Sequence, residues 1–258
     1  MIDLHCHILP GIDDGPATIE DSVAIARAAA DAGTRVIVAT SHVSWEYRND
    51  AATLAELTAE VNTRFEAEGI EIEVRTGAEI AATRVADIEP DELRRLALGG
   101  EGNYLLFEPP FTPVVTGIDM LIYALQRDGY RIVLAHPERC MAFHRDRSLL
   151  DSLVGAGVVT SITAGSLVGR FGRDVRRFAH ELLRDEMVHN VASDAHDVIN
   201  RPPGMAAEIE RAGLGELSDW LTSAVPEAIL DGSEIPRRPL IAAPEPASGP
   251  LGRWRARH

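Results

Sequence analysis

A chain of 258 residues, 45% of them hydrophobic, carries enough apolar material for one large α/β domain or two small ones. A formal net charge of -15 argues against a nucleic-acid-binding surface, and two cysteines cannot build a disulfide framework and fit a reducing compartment. No apolar run reaches membrane-spanning length, and Asp3, His5 and His7 interrupt any signal-peptide core, so a cytoplasmic location is expected.

The chain opens on Met1-Ile2-Asp3-Leu4-His5-Cys6-His7, which reads as the first strand of a buried sheet. Side chains alternate along a strand, so His5 and His7 point one way and Cys6 the other. A Pro/Gly/Asp-rich loop follows, and Thr18 with Asp21 forms a capping-box pattern that opens a helix over Ser22–Ala32. Arg35–Thr40 is a second strand ending at Ser41-His42. A helix from Ala51 to Glu68 precedes a third strand, Ile70–Thr76, which delivers Gly77-Ala78-Glu79-Ile80. A short helix over Asp91–Leu98 leads to a fourth strand, Tyr104–Glu108, stopped by Pro109-Pro110. Helix Val115–Arg127 and strand Arg131–His136 come next. Helix Ser148–Ala156, strand Val158–Thr163, helix Asp174–Arg184 and strand Val188–Asp194 complete the alternation, with helices at Met205–Ala212, Glu216–Thr222 and Pro226–Leu230. Seven β-then-α units with nearly continuous apolar strands mean a parallel sheet covered on both faces.

From Glu234 the composition changes. Pro236, Pro239, Pro244 and Pro246 interrupt regular structure, and Arg253, Arg255 and Arg257 make a basic end. The expected organisation is a single domain over 1–232 and a flexible Pro/Arg-rich extension over 233–258.

The polar residues that interrupt the apolar runs share one placement. His5 and His7 lie on or just after strand one, and His42 follows strand two. Glu79 follows strand three, Glu108 ends strand four, and His136 ends strand five; Asp194 and His196 follow strand seven. In a parallel barrel those C-terminal ends form one face, where such folds build their sites, whereas an open sheet would gather fewer strands at a switch point. Six strands contributing to one constellation therefore favour the barrel. With Asp14 from the first loop the candidates number nine, and this mixed imidazole–carboxylate set suits Mn²⁺, Fe²⁺ or Zn²⁺ better than Ca²⁺ in a multinuclear site. His144, His180, His189 and His258 lack the placement and read as surface or core histidines.

The ordered segments MIDLHCHILPGIDDGP, ATSHV, TGAEI, LLFEPP, AHPER and SDAHDVINRPPGM resemble the PHP (polymerase and histidinol phosphatase) superfamily. Within it they resemble the bacterial manganese-dependent protein tyrosine phosphatases of capsular and exopolysaccharide synthesis. The resemblance covers residues 1–232 and implies a distorted (β/α)7 TIM-like barrel holding up to three ions, Mn²⁺ first, with Fe²⁺, Zn²⁺, Co²⁺ or Mg²⁺ as substitutes. It implies that His5, His7, Glu79 and Asp194 hold one metal and that Glu79 bridges to a second completed by Glu108 and His136. Asp14, His42 and His196 would hold the third. Arg139 and Arg201 match phosphate-binding arginines, and guanidinium forks suit phosphoryl oxygens. Histidinol phosphatases of the superfamily more often carry histidine at Asp14, so the Asp13-Asp14-Gly15-Pro16 loop favours the tyrosine phosphatase branch. Thr163 stands where that branch usually has asparagine.

The implied reaction is hydrolysis of phosphotyrosine by metal-activated hydroxide, and the implied partner is a phosphotyrosine protein, a bacterial tyrosine autokinase. Four carboxylates against three divalent cations leave the cluster at about +2, so the pocket attracts phosphate on an acidic protein. A cysteine phosphatase needs C-x5-R, which neither Cys6 nor Cys140 provides: Arg145 follows Cys140 after four residues and Arg147 after six. Histidinol-phosphate hydrolysis, or that of another small phosphomonoester, uses the same cluster and is the alternative, followed by a non-catalytic metal-binding regulatory module.

Overall fold

The structure is a computed structural model that describes residues 1–100 and 102–240. Among these residues are nine strands: β1 (Ile2–Cys6), β2 (Val36–Ala39), β3 (His42–Val43), β4 (Glu73–Thr76), β5 (Glu79–Ala81), β6 (Tyr104–Glu108), β7 (Arg131–Ala135), β8 (Val159–Thr163) and β9 (Asn190–Ala192). All pairings between them are parallel, in two sheets ordered β1-β2-β4 and β3-β5-β6-β7-β8-β9.

The nine strands make seven staves. Ala39 pairs with Thr76 below the break and His42 with Glu79 above it, so one register runs through both. Thus β2 and β3 are one stave interrupted at Thr40-Ser41, and β4 and β5 are another, interrupted at Gly77-Ala78. A Cβ on Gly77 would lie 2.6 Å from Val38 Cγ1, so the backbone crosses the neighbouring stave where only glycine fits. The barrel closes where β1 meets the end of β9. Cys6 forms a bridge with Ala195, the His7 N–H donates to Ala195 O at 2.9 Å, and the Asp194 N–H donates to His5 O at 2.8 Å. This is a distorted (β/α)7 barrel in one domain.

Helices α1 (Ile19–Asp31), α2 (Ala51–Ala67), α3 (Pro90–Arg95), α4 (Ile118–Arg127), α5 (Met141–Arg145), α6 (Arg147–Gly155), α7 (Ala164–Leu167), α8 (Arg173–Arg184), α9 (Ala206–Arg211) and α10 (Val225–Leu230) follow the staves in order. Each long one lays an apolar stripe on the strands. In α8 that stripe is Phe178, Ala179, Leu182 and Leu183, and in α2 it includes Leu54, Val61 and Phe65. The capping box forms as the sequence spells it: Thr18 Oγ1 accepts from the Asp21 N–H, and Asp21 Oδ2 accepts from the Thr18 N–H.

Several boundaries differ from the sequence expectation, each for a local reason. The third stave is regular only from Glu73, because Ile70–Ile72 serve the turn out of α2, where the Ile70 N–H bonds Phe65 O. Helix α4 begins at Ile118 rather than Val115, after Gly117 in the left-handed region at φ +75°. The segment expected as a helix over Glu216–Thr222 is a 3-10 turn at Gly215–Leu217 followed by a π-helical turn at Trp220–Ala224. Short helices α5 and α7 were not expected; both sit in the loops after β7 and β8, where periodicity has no length in which to show.

The first residues of the expected extension lie against the body. Trp220 Nε1 donates to Pro236 O at 2.9 Å, Arg131 Nη1 donates to Ser233 O at 3.2 Å, and Ile235 packs on the core. Pro244, Pro246, Arg253, Arg255, Arg257 and His258 lie outside the described residues.

Candidate metal centre

All nine candidates line one site at the C-terminal mouth of the barrel. His5 and His7 come from the end of β1, Asp14 from the loop after it, and His42 and Glu79 open β3 and β5. Glu108 ends β6, His136 follows β7, and Asp194 and His196 follow β9. His42 and Glu79 thus stand on strand segments that the sequence did not show, rather than in loops.

Glu79, 1% exposed, is the hub. Its Oε2 lies 3.2 Å from His5 Nε2, 3.3 Å from His7 Nε2 and 3.1 Å from His42 Nδ1, while Oε1 lies 2.8 Å from His136 Nε2. Asp194 Oδ1 closes on His5 Nε2 at 3.4 Å and His7 Nε2 at 3.7 Å. On the outer side, Asp14 Oδ1 is 3.3 Å from His196 Nε2, 3.4 Å from His42 Nε2 and 3.9 Å from His7 Nδ1. Four groups have donor atoms close enough to share an ion: His5–His7–Asp194, His5–Glu79–His136, His42–Glu79–Glu108 and His7–Asp14–His42–His196. The first is the set implied for one metal without Glu79, and the last is the set implied for the third metal with His7 added. Glu108 differs, since its carboxylate approaches His42 Nδ1, at 3.9 Å, whereas His136 groups with His5.

The donor set fits divalent cations on observations of this structure. His196 Nδ1 donates to the carbonyl of Asp194, two residues back, at 3.1 Å, which leaves Nε2 with a lone pair. That Nε2 is buried without a hydrogen-bond partner and faces the Asp14 carboxylate, so two electron pairs meet with nothing positive between them. His7 is oriented alike: Nδ1 donates to Asp13 Oδ2 at 2.8 Å, and Nε2 turns toward Glu79, Asp194 and His5 Nε2, the last at 3.3 Å. Protonation tells the same story. Burial opposes charge on His7, yet Asp13 and Glu79 raise its pKa to about 10; burial and the Glu79 charge push Glu108 up to about 9. Protons thus collect where the carboxylates are in excess, the positions that a cation would neutralise. Burial and the Arg139 charge bring His136 down to about 4, which keeps it neutral, as a ligand must be.

Arg139, from the 3-10 turn after β7, and Arg201, in the loop after β9, converge on the same atom. Both guanidinium groups contact Asp194 Oδ2, that of Arg201 at 2.5 Å. Burial would raise the Asp194 pKa, but His5, Arg201 and Arg139 hold it well below the usual carboxylate range. Two forks of positive charge therefore stand at one edge of the cluster. His136 and Asp194 also adopt left-handed backbone, at φ +32° and +52°, which non-glycine residues rarely do. Two of the three such residues described lie in this site, which marks the turns after β7 and β9 as held for aim rather than comfort.

Residues 1–216, which contain every residue named in the cluster, match the family model described as capsular polysaccharide synthesis, CpsB/CapC. The chain belongs to the CpsB/CapC family. Among its relatives, the tyrosine-protein phosphatase YwqE of Bacillus subtilis strain 168 is 41% identical over 203 residues, 78% of this chain and 79% of YwqE. The tyrosine-protein phosphatase CpsB of Streptococcus pneumoniae is 28% identical over 215 residues, 80% of this chain and 86% of CpsB. A chain from the crystal structures of YwqE and CpsB, unique metal-dependent tyrosine phosphatases, superposes with TM-score 0.82 at 36% identity. It covers 93% of this chain and 98% of that one. The β-aspartyl dipeptidase of Fervidobacterium islandicum AW-1, 15% identical at TM-score 0.50, shares the fold alone, over 89% of this chain and 72% of its own.

This CpsB/CapC chain uses further residues that sequence reasoning did not single out. Asp13 fixes His7, accepts the His42 N–H at 3.1 Å and the Gly15 N–H at 3.0 Å, and so ties the first loop to β3. Gly15 is needed there, because a Cβ would sit 2.9 Å from His7 Cβ. Asp3, buried, accepts the Ser193 N–H at 3.0 Å and clamps β1 to the turn after β9. Glu138, also buried, accepts the Thr163 N–H at 2.9 Å and the Ser166 hydroxyl at 2.6 Å, which sets the turn that carries Arg139. Thr163, the departure noted in the sequence, therefore contributes its backbone to this family site. Phe111 and Phe171 flank Arg139, with ring centroids 5.3 and 4.5 Å from its Cζ. Carboxylates and aromatics of this kind carry no pattern in a single sequence; only adjacency to a ligand, as with Asp13, could have flagged one. The histidines set aside stay outside the cluster: His144 bonds Glu138 O, His180 bonds Leu167 O, and His189 accepts from Thr160. Cys6 and Cys140 are free and buried, and burial pushes both thiols up, so neither is a nucleophile.

Proposed function

We propose that this chain is a metal-dependent protein-tyrosine phosphatase of capsular or exopolysaccharide synthesis, that it works with Mn²⁺, and that its substrate is a bacterial tyrosine autokinase. The observation that carries this reading is the pairing of a nine-residue imidazole–carboxylate cluster with two arginines converging on one of its carboxylates. By the resemblance, His5, His7, Glu79 and Asp194 would hold one ion, Glu79, Glu108 and His136 a second, and Asp14, His42 and His196 a third, with Glu108 having to turn from His42 toward His136 to complete the second. Bound divalent cations supply Lewis acidity and bring the ionisation of water toward neutral pH.

The protein's own groups do the rest. Asp13 and the carbonyl of Asp194 fix which nitrogens of His7 and His196 face the centre. Arg139 and Arg201 bind the non-bridging phosphoryl oxygens, and each guanidinium offers a planar fork that matches them. The phenol of tyrosine has a pKa of about 10, so the leaving group departs with less protonation than an alkyl alcohol requires. Two unpaired buried cysteines suit a reducing compartment, and the cytoplasm is the location that goes with this reading. Among the described residues, no helix is long and apolar enough to cross a membrane.

The test is turnover of a phosphotyrosine peptide by metal-stripped protein, with and without added Mn²⁺, beside His136→Ala and with histidinol phosphate in parallel. Mn²⁺-dependent hydrolysis of the peptide, abolished by the substitution, is expected. Turnover confined to histidinol phosphate would move the substrate class. Metal binding with no turnover of either would make the chain a regulatory module.

A further inference from the structure

Phe111 has a placement that packing does not explain. It lies in the loop after β6, behind Pro109-Pro110, with Pro110 O held by the Cys140 thiol at 3.5 Å. The ring is 46% exposed, although it sits over the most polar part of the molecule. One side stacks on the His136 imidazole, with centroids 5.4 Å apart and planes 17° apart. The Arg139 guanidinium lies 5.3 Å from the same centroid. A single exposed apolar ring is ordinary on a protein surface; what sets Phe111 apart is its place at the mouth of the site, stacked on His136 and beside Arg139. Arg139 already has an aromatic partner in Phe171, at 4.5 Å, so holding that guanidinium does not by itself require Phe111. Trp45, comparably exposed at 50%, makes a useful contrast: its Nε1 donates to Thr83 O and Arg84 lies over its face, so its contacts are internal.

We propose that Phe111 selects aryl over alkyl phosphate esters: with the phosphoryl group held by Arg139 and Arg201, the ring of the ester packs against the open part of Phe111. The proposal rests on the phosphatase reading above and deepens it, since neither the cluster nor the two arginines distinguishes a phenol from an alkyl alcohol. An offset or edge-on contact between two rings strengthens binding by about three- to tenfold over an aliphatic neighbour. An alkyl ester has no ring to place there and gains nothing.

The experiment uses the full chain loaded with Mn²⁺ and two non-hydrolysable probes, phenylphosphonate and methylphosphonate, with affinities measured by calorimetry for wild type, Phe111→Leu and Phe111→Tyr. Wild type is expected to bind the phenyl probe more tightly. Phe111→Leu should lose that preference by about three- to tenfold while methylphosphonate binding stays unchanged, and Phe111→Tyr should restore it. Equal weakening of both probes in Phe111→Leu would overturn the proposal and leave Phe111 as a prop for Arg139. An unchanged ratio would overturn it as well. Hydrolysis of a phosphotyrosine peptide is followed separately. A phenyl preference that depends on Phe111 without peptide hydrolysis would overturn the phosphotyrosine-protein reading and leave Phe111 as a selector of other aryl phosphates.

Discussion

Asp13 and Asp14 are neighbours in the loop after β1, yet their carboxylates serve different atoms. Asp14 faces Nε2 of both His42 and His196, whereas Asp13 takes the N–H of His7 on the side away from the cluster. A carboxylate in that second position fixes the tautomer and raises the basicity of the ligand. Asp13→Ala should therefore weaken Mn²⁺ binding by about 10- to 100-fold, read by metal titration, with turnover recovering at saturating metal. A fall in turnover at saturating metal with unchanged affinity would contradict this role. The sequence placed Asp14 among the candidates and was silent on Asp13, because a loop has no period from which a supporting role could be read.

His189 makes a pH prediction free of the metal site. Its Nδ1 accepts the Thr160 N–H at 3.2 Å, which requires a neutral ring, and burial together with the charge of Arg238 brings its pKa to about 4 from 6.5. The unfolded chain takes up this proton below pH 6.5 while the folded chain refuses it until about pH 4. Stability from this residue is thus intact above pH 6.5 and falls as pH drops, by about 2 kcal/mol at pH 5. His189→Gln keeps an acceptor without a titration, so the gap between its unfolding free energy and that of wild type should shift in its favour by that amount from pH 7 to pH 5. A pH-independent gap would show that His189 does not titrate as described.

At the level of elements, the cap of α1 was legible even though the helix begins at Ile19 and not at the expected Ser22. Thr18 and Asp21 spell a capping box, and both halves of it form. Thr18→Ala should cost about 1 kcal/mol in unfolding free energy and leave turnover per folded molecule unchanged, since the cap lies on the exposed rim of α1. Strands were legible wherever an apolar run was unbroken, as in Tyr104–Glu108, expected and observed with the same ends. The split staves were not legible. Thr40-Ser41 and Gly77-Ala78 look like strand ends, and the two or three residues beyond each are too few for alternation to register. Yet those short pieces, β3 and β5, present His42 and Glu79. The interruption turns the stave so that a candidate ligand emerges at its restart.

For the whole molecule, the barrel was inferred from six strand ends that carried candidate ligands, and the parallel pairing of the staves agrees. The hub role of Glu79 came through resemblance; no property of an isolated glutamate announces it. What neither pattern nor resemblance displayed is how little main chain closes the ring. Between the first and last staves the join consists of the Cys6–Ala195 bridge, the hydrogen bonds of His7 and Asp194 to that opposite edge, and the clamp from Asp3 to Ser193. His5 and His7 stand on one side of this join, Asp194 and His196 on the other. Any ion held by both pairs is therefore also a fastener. Stripping metal should speed hydrogen exchange at residues 3–7 and 190–196 while the β6–β7 pair keeps its protection; a uniform change around the ring would refute the idea. Every other stave is laced to its neighbours along its length, like planks in a cask. At this one place a bound ion would buckle the hoop, and the candidate metal centre and the latch of the fold share the same residues.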